Sequence, residues 1–251
     1  IYLVSHNIGY QFQELAYFTN TRKANRTLLN KYQKLLGQSN FISPRTIRNI
    51  FPIQLDTISL EKDGNSLLSP ISMHIKQGEK IAIIGESGSG KTTLLNIIHG
   101  EETPTSGQIS FAGQNLSRQE ITGISSYILQ DSHYFDTLSL EDNILLGLDK
   151  KEERLNHILK TTGLEHLKNR TLSNDSLSGG EKQRLEIARA LYHDSQLILA
   201  DEIKANLDSE NSRKISDLLF SLPQTVIEVI HHYTEEDLKH YDQVIHLSKE
   251  K

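Results

Sequence analysis

Two short segments of the chain combine residue types and spacings that could do chemistry. The first, residues 85–92, reads GESGSGKT and satisfies the complete pattern G-x-x-x-x-G-K-[ST]. Its glycines let the backbone curl so that successive N–H groups and a helix N-terminus face one concavity, an arrangement that binds nucleotide phosphates. Lys91 would reach the β and γ phosphates, and Thr92 would ligate Mg²⁺. The candidate phosphate-binding residues of this P-loop are Gly85, Glu86, Ser87, Gly88, Ser89, Gly90, Lys91, Thr92 and Thr93.

The second segment is an acidic pair, Asp201 and Glu202, which directly follows the apolar run at residues 197–200. Asp201 would hold Mg²⁺ through water, and Glu202 would polarise the water that attacks the γ-phosphate. An apolar strand that ends in acidic residues is often an ordinary surface turn. The P-loop favours a functional role for this pair, because its chemistry needs a carboxylate at the end of a neighbouring strand.

The elements around these segments predict an α/β fold. Residues 81–84 and 197–200 are short, continuous apolar runs, as expected of buried parallel strands. Residues 53–60 and 71–75 alternate apolar with polar side chains on either side of a turn at residues 63–65, which indicates an antiparallel sheet. Helical stretches separate the strands, and they are predicted at residues 92–98, 151–162, 181–192 and 210–219.

A third segment, residues 177–184, reads LSGGEKQR and lies between the P-loop and the acidic pair. Ser178, Gly179 and Gly180 precede an amphipathic helix, so we expect a second bare helix N-terminus that can bind an anion. This segment resembles the signature sequence of ABC-type ATPases, the nucleotide-binding domains of ABC transporters. Its distance ahead of the acidic pair is right for that family, and the resemblance covers residues 51–247.

The resemblance assigns roles to further residues. Gln130, after an apolar run, is similar to the family's Q-loop glutamine, which contacts the metal and the attacking water. Asp208 lies in a segment similar to the D-loop, which crosses a dimer interface. His231 follows the strand-like residues 225–230 at the position of the family's switch histidine, which contacts the γ-phosphate. Alternation along the strand leaves the neighbouring His232 as an alternative.

Some positions depart from the family's pattern. The aromatic residue that usually stacks on adenine aligns with Leu60, so we expect an apolar contact with the base, weaker affinity and weaker base selectivity. Ile203 and Lys204 replace the usual residues after the acidic pair, and Lys204 places a cation near the hydrolytic site. Residues 171–176 lack the Glu-rich loop of many ABC exporters, which leaves the exporter subgroup open.

The resemblance implies an α/β P-loop NTPase of the ABC ATPase type, with a mixed parallel core sheet, an antiparallel β subdomain and a helical signature subdomain. ATP and Mg²⁺ are the implied cofactors. Two copies of the domain would pair head to tail, with each nucleotide between the P-loop of one copy and the signature segment of the other. Closure on ATP would then drive a membrane domain between inward- and outward-facing states.

The N-terminal residues predict how the ATPase domain is attached. Residues 15–55 carry seven basic and no acidic residues, although the formal net charge of the chain is −5. They follow an aromatic, nearly uncharged start, and the combination resembles the cytoplasmic end of a membrane helix and its flank. An amphipathic helix with a solvated basic face is the equal alternative. Residues 1–37 are assigned to this extension, 38–50 to a linker and 51–251 to the ATP-binding domain.

The expected protein is therefore an exporter with fused membrane and ATPase domains, whose ATPase domain hydrolyses ATP to ADP and phosphate. It would work at the cytoplasmic face of the cell membrane, with this fragment itself soluble. One alternative is a stand-alone ABC ATPase subunit that uses residues 1–50 for docking or dimerisation. Another is an ABC-type ATPase that acts as a chromosome or ribosome clamp. The transported substrate cannot be predicted, because membrane helices select it.

Composition excludes other classes of protein. Cysteine is absent, which excludes disulfide scaffolds, thiolate zinc sites and cysteine nucleophiles. No apolar run approaches the roughly 20 residues of a membrane-spanning helix. The acidic balance outside the basic segment argues against nucleic acid as a partner, although residues 15–48 alone could form a small basic binding module.

Overall fold

Two β-sheets carry the elements that surround the predicted site. The structure is a computed structural model, and it describes residues 49–172 and 177–248. The predictions for residues 1–37, for almost all of the linker at 38–50, and for residues 173–176 lie outside the described part. Of the linker, Asn49 and Ile50 are described, and Ile50 is completely buried.

The smaller sheet is antiparallel and has the strand order β2-β1-β4, formed by β1 (Ile53–Lys62), β2 (Asn65–Ile75) and β4 (Ser106–Phe111). The turn between β1 and β2 lies where the sequence predicts it, with Asp63 and Gly64 at positive φ. β2 begins well before the predicted residue 71, because Pro70 and the serines around it hide the alternation. Pro70 is accommodated because β2 is an edge strand, where a missing N–H group is tolerated.

The larger sheet has the order β5-β6-β7-β3-β8, and each of its pairs is parallel. Antiparallel pairing, among the described residues, belongs to the smaller sheet, so the predicted mixed character is divided between two sheets. Every residue of β6 and β7 is buried, as expected of central strands packed on both faces. The strands are β3 (Lys80–Gly85), β5 (Ser125–Ile128), β6 (Leu197–Asp201), β7 (Thr225–Val229) and β8 (Gln243–Leu247).

Two apolar clusters hold four of the described helices, α3 to α6. One cluster joins α5 and α6 to β6 and β7, through side chains such as Ile187, Ile215 and Ile198. The other lies among α3, α4 and α5 and includes Leu140 and Leu155, which gives the predicted helical subdomain a core of its own. The helices are α1 (Lys91–His99), α2 (Arg118–Ile124), α3 (Leu140–Leu145), α4 (Glu152–Thr162), α5 (Gly179–Tyr192), α6 (Ser209–Ser221) and α7 (Glu235–Leu238).

The four predicted helices are all present, and α5 begins at Gly179 rather than at residue 181. The short helices α2, α3 and α7 were not predicted, because few residues carry too little periodicity to detect. A search of residues 49–172 and 177–248 finds no helix that is both long and apolar enough to cross a membrane.

Candidate functional site

The P-loop connects β3 to α1 and leaves the N-terminus of α1 without a side-chain cap. Gly90, immediately before α1, has a φ of 93° and forms no side-chain capping hydrogen bond. A Cβ atom at this position would lie 2.5 Å from the carbonyl oxygen of Leu67, so both φ and this contact require glycine. An uncapped helix N-terminus with its positive dipole end is the arrangement that binds anions.

Lys91 folds back onto the P-loop in this structure. Its ammonium group donates hydrogen bonds to the carbonyl oxygens of Gly85 and Glu86, both at 2.9 Å. The residue is only 5% exposed, and the hydroxyl of Ser89 in the same loop is buried with no hydrogen-bond partner. Buried polar groups normally have partners. An unpaired hydroxyl beside a cation that rests on carbonyl oxygens therefore indicates a loop built to receive an anion.

Asp201, at the end of β6, lies within hydrogen-bond distance of the P-loop helix. Its Oδ2 accepts a hydrogen bond from the Thr92 hydroxyl at 2.8 Å and another from the Tyr127 hydroxyl at 3.2 Å. Its Oδ1 is buried and has no hydrogen-bond partner. Burial raises the pKa of this carboxyl above its ordinary value. A buried carboxylate oxygen without a partner, next to a threonine hydroxyl, is a donor set that suits Mg²⁺.

Glu202 and His231 form the second pair of the site. His231 Nε2 lies 2.6 Å from Glu202 Oε1, and both side chains are about one third exposed, at 32% and 28%. The backbone of Glu202 has a φ of 54°, and its N–H group donates to the carbonyl oxygen of Val229 at 3.3 Å. This contact ties the end of β6 to the end of β7. The structure thus places His231, rather than His232, on the acidic pair.

The signature helix α5 begins with a side-chain cap, so the expectation of a bare N-terminus is wrong. Ser178 accepts a hydrogen bond from the backbone N–H of Glu181, and the Glu181 carboxylate accepts from the Ser178 N–H group at 2.8 Å. This is a capping box, in which serine and glutamate satisfy each other's exposed groups. Partial burial acts to raise the pKa of Glu181, but hydrogen bonds from Ser178 and contact with His166 outweigh it, so this pKa is lowered.

The signature segment is packed against Asn211, which is hydrogen-bonded to Asp208. A Cβ atom at Gly180 would lie 2.9 Å from Asn211 Oδ1, so α5 approaches α6 closely at this point. Asp208 caps α6 by accepting from the N–H group of Asn211 at 2.9 Å and from its side-chain amide at 2.6 Å. These hydrogen bonds lower the pKa of Asp208. Asn211, which the sequence did not single out, therefore joins Gly180 to Asp208.

Gln130 is exposed and lies beside the signature helix. The side-chain amide of Gln183 on α5 donates to the carbonyl oxygens of Gln130 at 2.9 Å and of Leu129 at 3.3 Å. Gln183 is buried, so this link holds the backbone of the Gln130 segment against α5. The sequence assigned no role to Gln183, although this residue lies inside the signature segment.

Arg189 of α5 supports the chain that follows Gln130. Its guanidinium donates to the carbonyl oxygens of His133 at 2.6 Å and Asn143 at 2.7 Å, and it contacts Glu186 Oε1 at 2.7 Å. The residue is 6% exposed. The chain from Leu129 to His133 is therefore held on α5 at two positions, Gln183 and Arg189.

We expect Arg189→Met to lower the free energy of unfolding by about 3–5 kcal/mol, because it removes one partner of a buried charge network. Urea denaturation monitored by circular dichroism measures the change. The matched control is Arg213→Met on the exposed face of α6, for which we expect less than about 0.5 kcal/mol. Equal losses in the two variants would show that the Arg189 network contributes nothing specific.

Leu60 does not provide a surface for a nucleotide base. It is 6% exposed, and it pairs with the buried Leu68 between β1 and β2. The register between β1 and β2 shifts on both sides of Leu60. The expected contact between Leu60 and the base is therefore not supported.

Lys204, expected to place a cation near the hydrolytic site, forms an ion pair inside the protein. Its ammonium lies 2.9 Å from Glu228 Oε1 in β7, and it donates to the Ser216 hydroxyl in α6 at 2.9 Å. The side chain turns into the protein because the buried carboxylate of Glu228, only 2% exposed, needs a counter-ion.

Three groups of residues thus come together in the described part of the chain. The P-loop and Asp201 meet through Thr92, the acidic pair meets the end of β7 through His231, and the signature segment meets Asp208 through Asn211. Tyr127, Gln183 and Asn211 are the supporting residues that sequence analysis did not identify.

Comparison with known proteins places the chain in a family. A family model described as ABC transporter matches residues 68–205, which is more than half of the chain. The ABC transporter ATP-binding protein YxdL of Bacillus subtilis (strain 168) is 40% identical over 169 residues, covering 62% of this chain and 65% of YxdL. The lactococcin-A transport/processing ATP-binding protein LcnC of Lactococcus lactis subsp. lactis is 32% identical over 255 residues, covering 90% of this chain and 35% of LcnC.

Among solved structures, CbiO1 from Clostridium perfringens, part of the ABC transporter complex CbiONQ, superposes with a TM-score of 0.70. The identity is 28%, and the match covers 79% of this chain and 84% of CbiO1. The chain spans less than two thirds of the length of YxdL and about one third of LcnC. The family match and the shared fold together show that the chain belongs to the ABC transporter family and contains the ATPase domain of that family.

Proposed function

We propose that this domain binds ATP with Mg²⁺ and hydrolyses it to ADP and phosphate, and that it thereby powers export of a substrate across a membrane. The observation that carries the hydrolytic part is the alignment of two pairs at the ends of neighbouring strands. Thr92 meets Asp201 at the end of β6, and Glu202 meets His231 just beyond the end of β7. Together they provide a metal-binding pair next to a candidate general base and its histidine partner, as hydrolysis of a nucleotide requires.

The P-loop suits the phosphates of ATP. Gly85 and Gly90 leave no room for a side chain, the N-terminus of α1 is uncapped, and the Ser89 hydroxyl is buried without a partner. Lys91 would exchange its two carbonyl contacts for phosphate oxygens. Thr93 and the backbone of Glu86, Ser87 and Gly88 complete the proposed phosphate-binding set.

The residues around Asp201 suit Mg²⁺, which would be held by Thr92, Asp201 and Gln130. When bound, Mg²⁺ neutralises charge on the phosphate oxygens. The chain itself contributes the unpaired Oδ1 of Asp201 and a threonine hydroxyl already within 2.8 Å of the same carboxylate. Tyr127 holds Oδ2 from the other side and so orients Asp201.

Glu202 is the proposed general base. Its carboxylate would accept a proton from the attacking water, whose oxygen forms a bond to the γ-phosphorus while the bond to the leaving oxygen of ADP breaks. His231, 2.6 Å from Glu202, would hold the carboxylate and contact the γ-phosphate. A hydrogen bond at this distance restricts the rotamer of Glu202, and a fixed rotamer keeps the base oriented.

A second copy of the domain is the proposed partner that completes the site. Ser178 and Gly179 are exposed, while Gly180 lies against Asn211, which is hydrogen-bonded to Asp208. The contacts of Asn211 with both Gly180 and Asp208 support a shared interface for the signature segment and Asp208. Each nucleotide would then lie between the P-loop of one copy and Ser178, Gly179 and Gly180 of the other.

Dimer formation predicts that specific ATPase activity rises with protein concentration. We expect the rate per chain to increase until most chains are paired, because a lone chain lacks the second half of the site. Phosphate release measured with Mg²⁺ over at least a hundredfold range of protein concentration tests this. A rate per chain that stays constant over that range would show that one chain completes its own site, and the roles of Ser178 and Gly180 would be withdrawn.

The proposals of export and of a fused membrane domain rest on how much of this chain and of its relatives the alignments cover. The alignment with LcnC covers 90% of this chain, so it extends beyond the ATPase domain into residues 1–48, and it accounts for only 35% of LcnC. A much larger relative that matches the N-terminal residues as well favours an ATPase domain joined to a membrane domain, at the cytoplasmic face of the membrane. Determining the full reading frame tests this, because an uninterrupted membrane domain ahead of residue 1 is expected.

The alternative is a stand-alone ATPase subunit of a multi-subunit transporter. YxdL supports it, because the matched segment makes up 65% of that protein and leaves little room for a membrane domain. CbiO1, of which 84% is matched, is likewise part of a larger complex. A reading frame that begins close to residue 1 would favour this alternative.

A further inference from the structure

An ion pair inside the protein lies close to the hydrolytic residues. Lys204 belongs to the turn at residues 202–208, which connects β6 to α6. Its ammonium lies 2.9 Å from the carboxylate of Glu228, a residue of β7 that is 2% exposed, and it donates to Ser216 on α6. Desolvation of a carboxylate inside a central strand is unfavourable, and a neighbouring cation offsets that cost. The ion pair therefore connects the turn to β7.

The other oxygen of Glu228 is also occupied. Its Oε2 accepts a hydrogen bond from the Tyr241 hydroxyl at 2.5 Å, and the Tyr241 ring packs edge-on against Phe220 of α6 at 5.0 Å. Burial and the neighbouring Glu228 carboxylate raise the pKa of Tyr241, so its hydroxyl remains a donor. Lys204, Glu228 and Tyr241 form one network, which we call the β7 network. It joins the turn to β7, to α6 and to the segment before β8.

The turn is attached to β7 at two adjacent positions. Glu202 begins the turn, and its N–H group donates to the carbonyl oxygen of Val229. Val229 directly follows Glu228, which receives the side chain of Lys204. Ile203, between the two attachments, is 1% exposed in the core. The backbone at Glu202, with its positive φ, is thus held on both sides by contacts to one strand.

We propose that Lys204 is a positioning residue for hydrolysis, which acts by anchoring the turn of Glu202 to Glu228. The inference rests on the proposed role of Glu202 as general base. Lys204 does not touch the nucleotide in this scheme. It fixes the backbone from which Glu202 extends toward His231, and a displacement of about 1 Å in a catalytic group costs up to about a hundredfold in rate.

The test compares kcat, the KM for Mg²⁺-ATP and the unfolding midpoint in the full chain. We expect Lys204→Met to lower kcat about tenfold with KM changed less than about twofold, because binding residues are untouched. Lys204→Arg, which keeps the cation, should retain most of kcat. The double variant Lys204→Met/Glu228→Gln should recover the stability that Lys204→Met loses, since no buried charge is left unpaired, yet keep the low kcat.

The outcomes separate positioning from stability. Recovery of kcat together with stability in the double variant would show that the pair acts through stability alone and would overturn the proposal. Lys214→Met is the matched control, because Lys214 pairs with Glu210 on the exposed surface of α6 and should change neither quantity. Unchanged kcat in Lys204→Met beside an active wild type would remove this inference only. A wild type that fails to hydrolyse ATP would remove the proposed function as well.

Discussion

Replacing Glu202 by Gln is expected to slow ATP hydrolysis by about 100- to 10,000-fold while Mg²⁺-ATP still binds. The amide has nearly the size of the carboxylate, and its oxygen can still accept from His231 Nε2, which lies 2.6 Å from Glu202 Oε1. It cannot accept a proton from water. The variant therefore removes basicity and keeps the geometry of the pair, and Thr92 and Asp201 remain in place for the metal.

Single-turnover phosphate release and a direct nucleotide-binding titration measure the two quantities separately. Glu165→Gln is the matched control, because Glu165 is an exposed glutamate of the helical subdomain and its replacement should alter neither rate nor affinity. Turnover within about threefold of the wild type in Glu202→Gln would refute the role of general base. Loss of nucleotide binding would instead mean that Glu202 is part of the binding site.

Much of the fold could be predicted because its signals are local. The P-loop, the acidic pair and the signature segment are each contiguous, and the apolar runs before them mark buried strands. Parallel strands end at the same edge of a sheet, so Thr92 and Asp201 were expected to meet, and they lie 2.8 Å apart. The position of the switch histidine could be narrowed only to His231 or His232, since alternation is lost where β7 ends at Val229.

The supporting residues could not be predicted because their partners are distant in sequence. Tyr127 reaches Asp201 only when β5 and β6 are paired, and Asn211 reaches Gly180 only when α5 and α6 are packed. Lys204 looked like a cation next to the acidic pair, whereas its long side chain allows it to reach into the protein. The signal that could have indicated this is Glu228, the one charged residue of the buried strand β7.

Replacing Lys91 by Ala is expected to weaken ATP binding by about 10- to 100-fold, because each hydrogen bond to a charged group contributes about 1.5–3 kcal/mol. In this structure the ammonium rests on the carbonyl oxygens of Gly85 and Glu86, and phosphate oxygens would be stronger partners than either. The change also leaves those two carbonyl groups without their donor, so the empty loop should lose some stability. The loss of binding free energy for ATP should nevertheless be larger than this loss of folding stability, because the phosphates carry the larger charge.

The affinity is measured by calorimetric titration with Mg²⁺-ATP, and the unfolding midpoint of each variant shows whether the loop change alters folding. Lys76→Ala is the control, since Lys76 is exposed ahead of β3 and its removal changes the net charge by the same amount. If Lys91→Ala binds ATP as the wild type does, the uncapped N-terminus of α1 and the loop N–H groups suffice for the phosphates. The proposed contact of Lys91 with the β and γ phosphates would then be wrong, and its contacts would be limited to the carbonyl oxygens of Gly85 and Glu86.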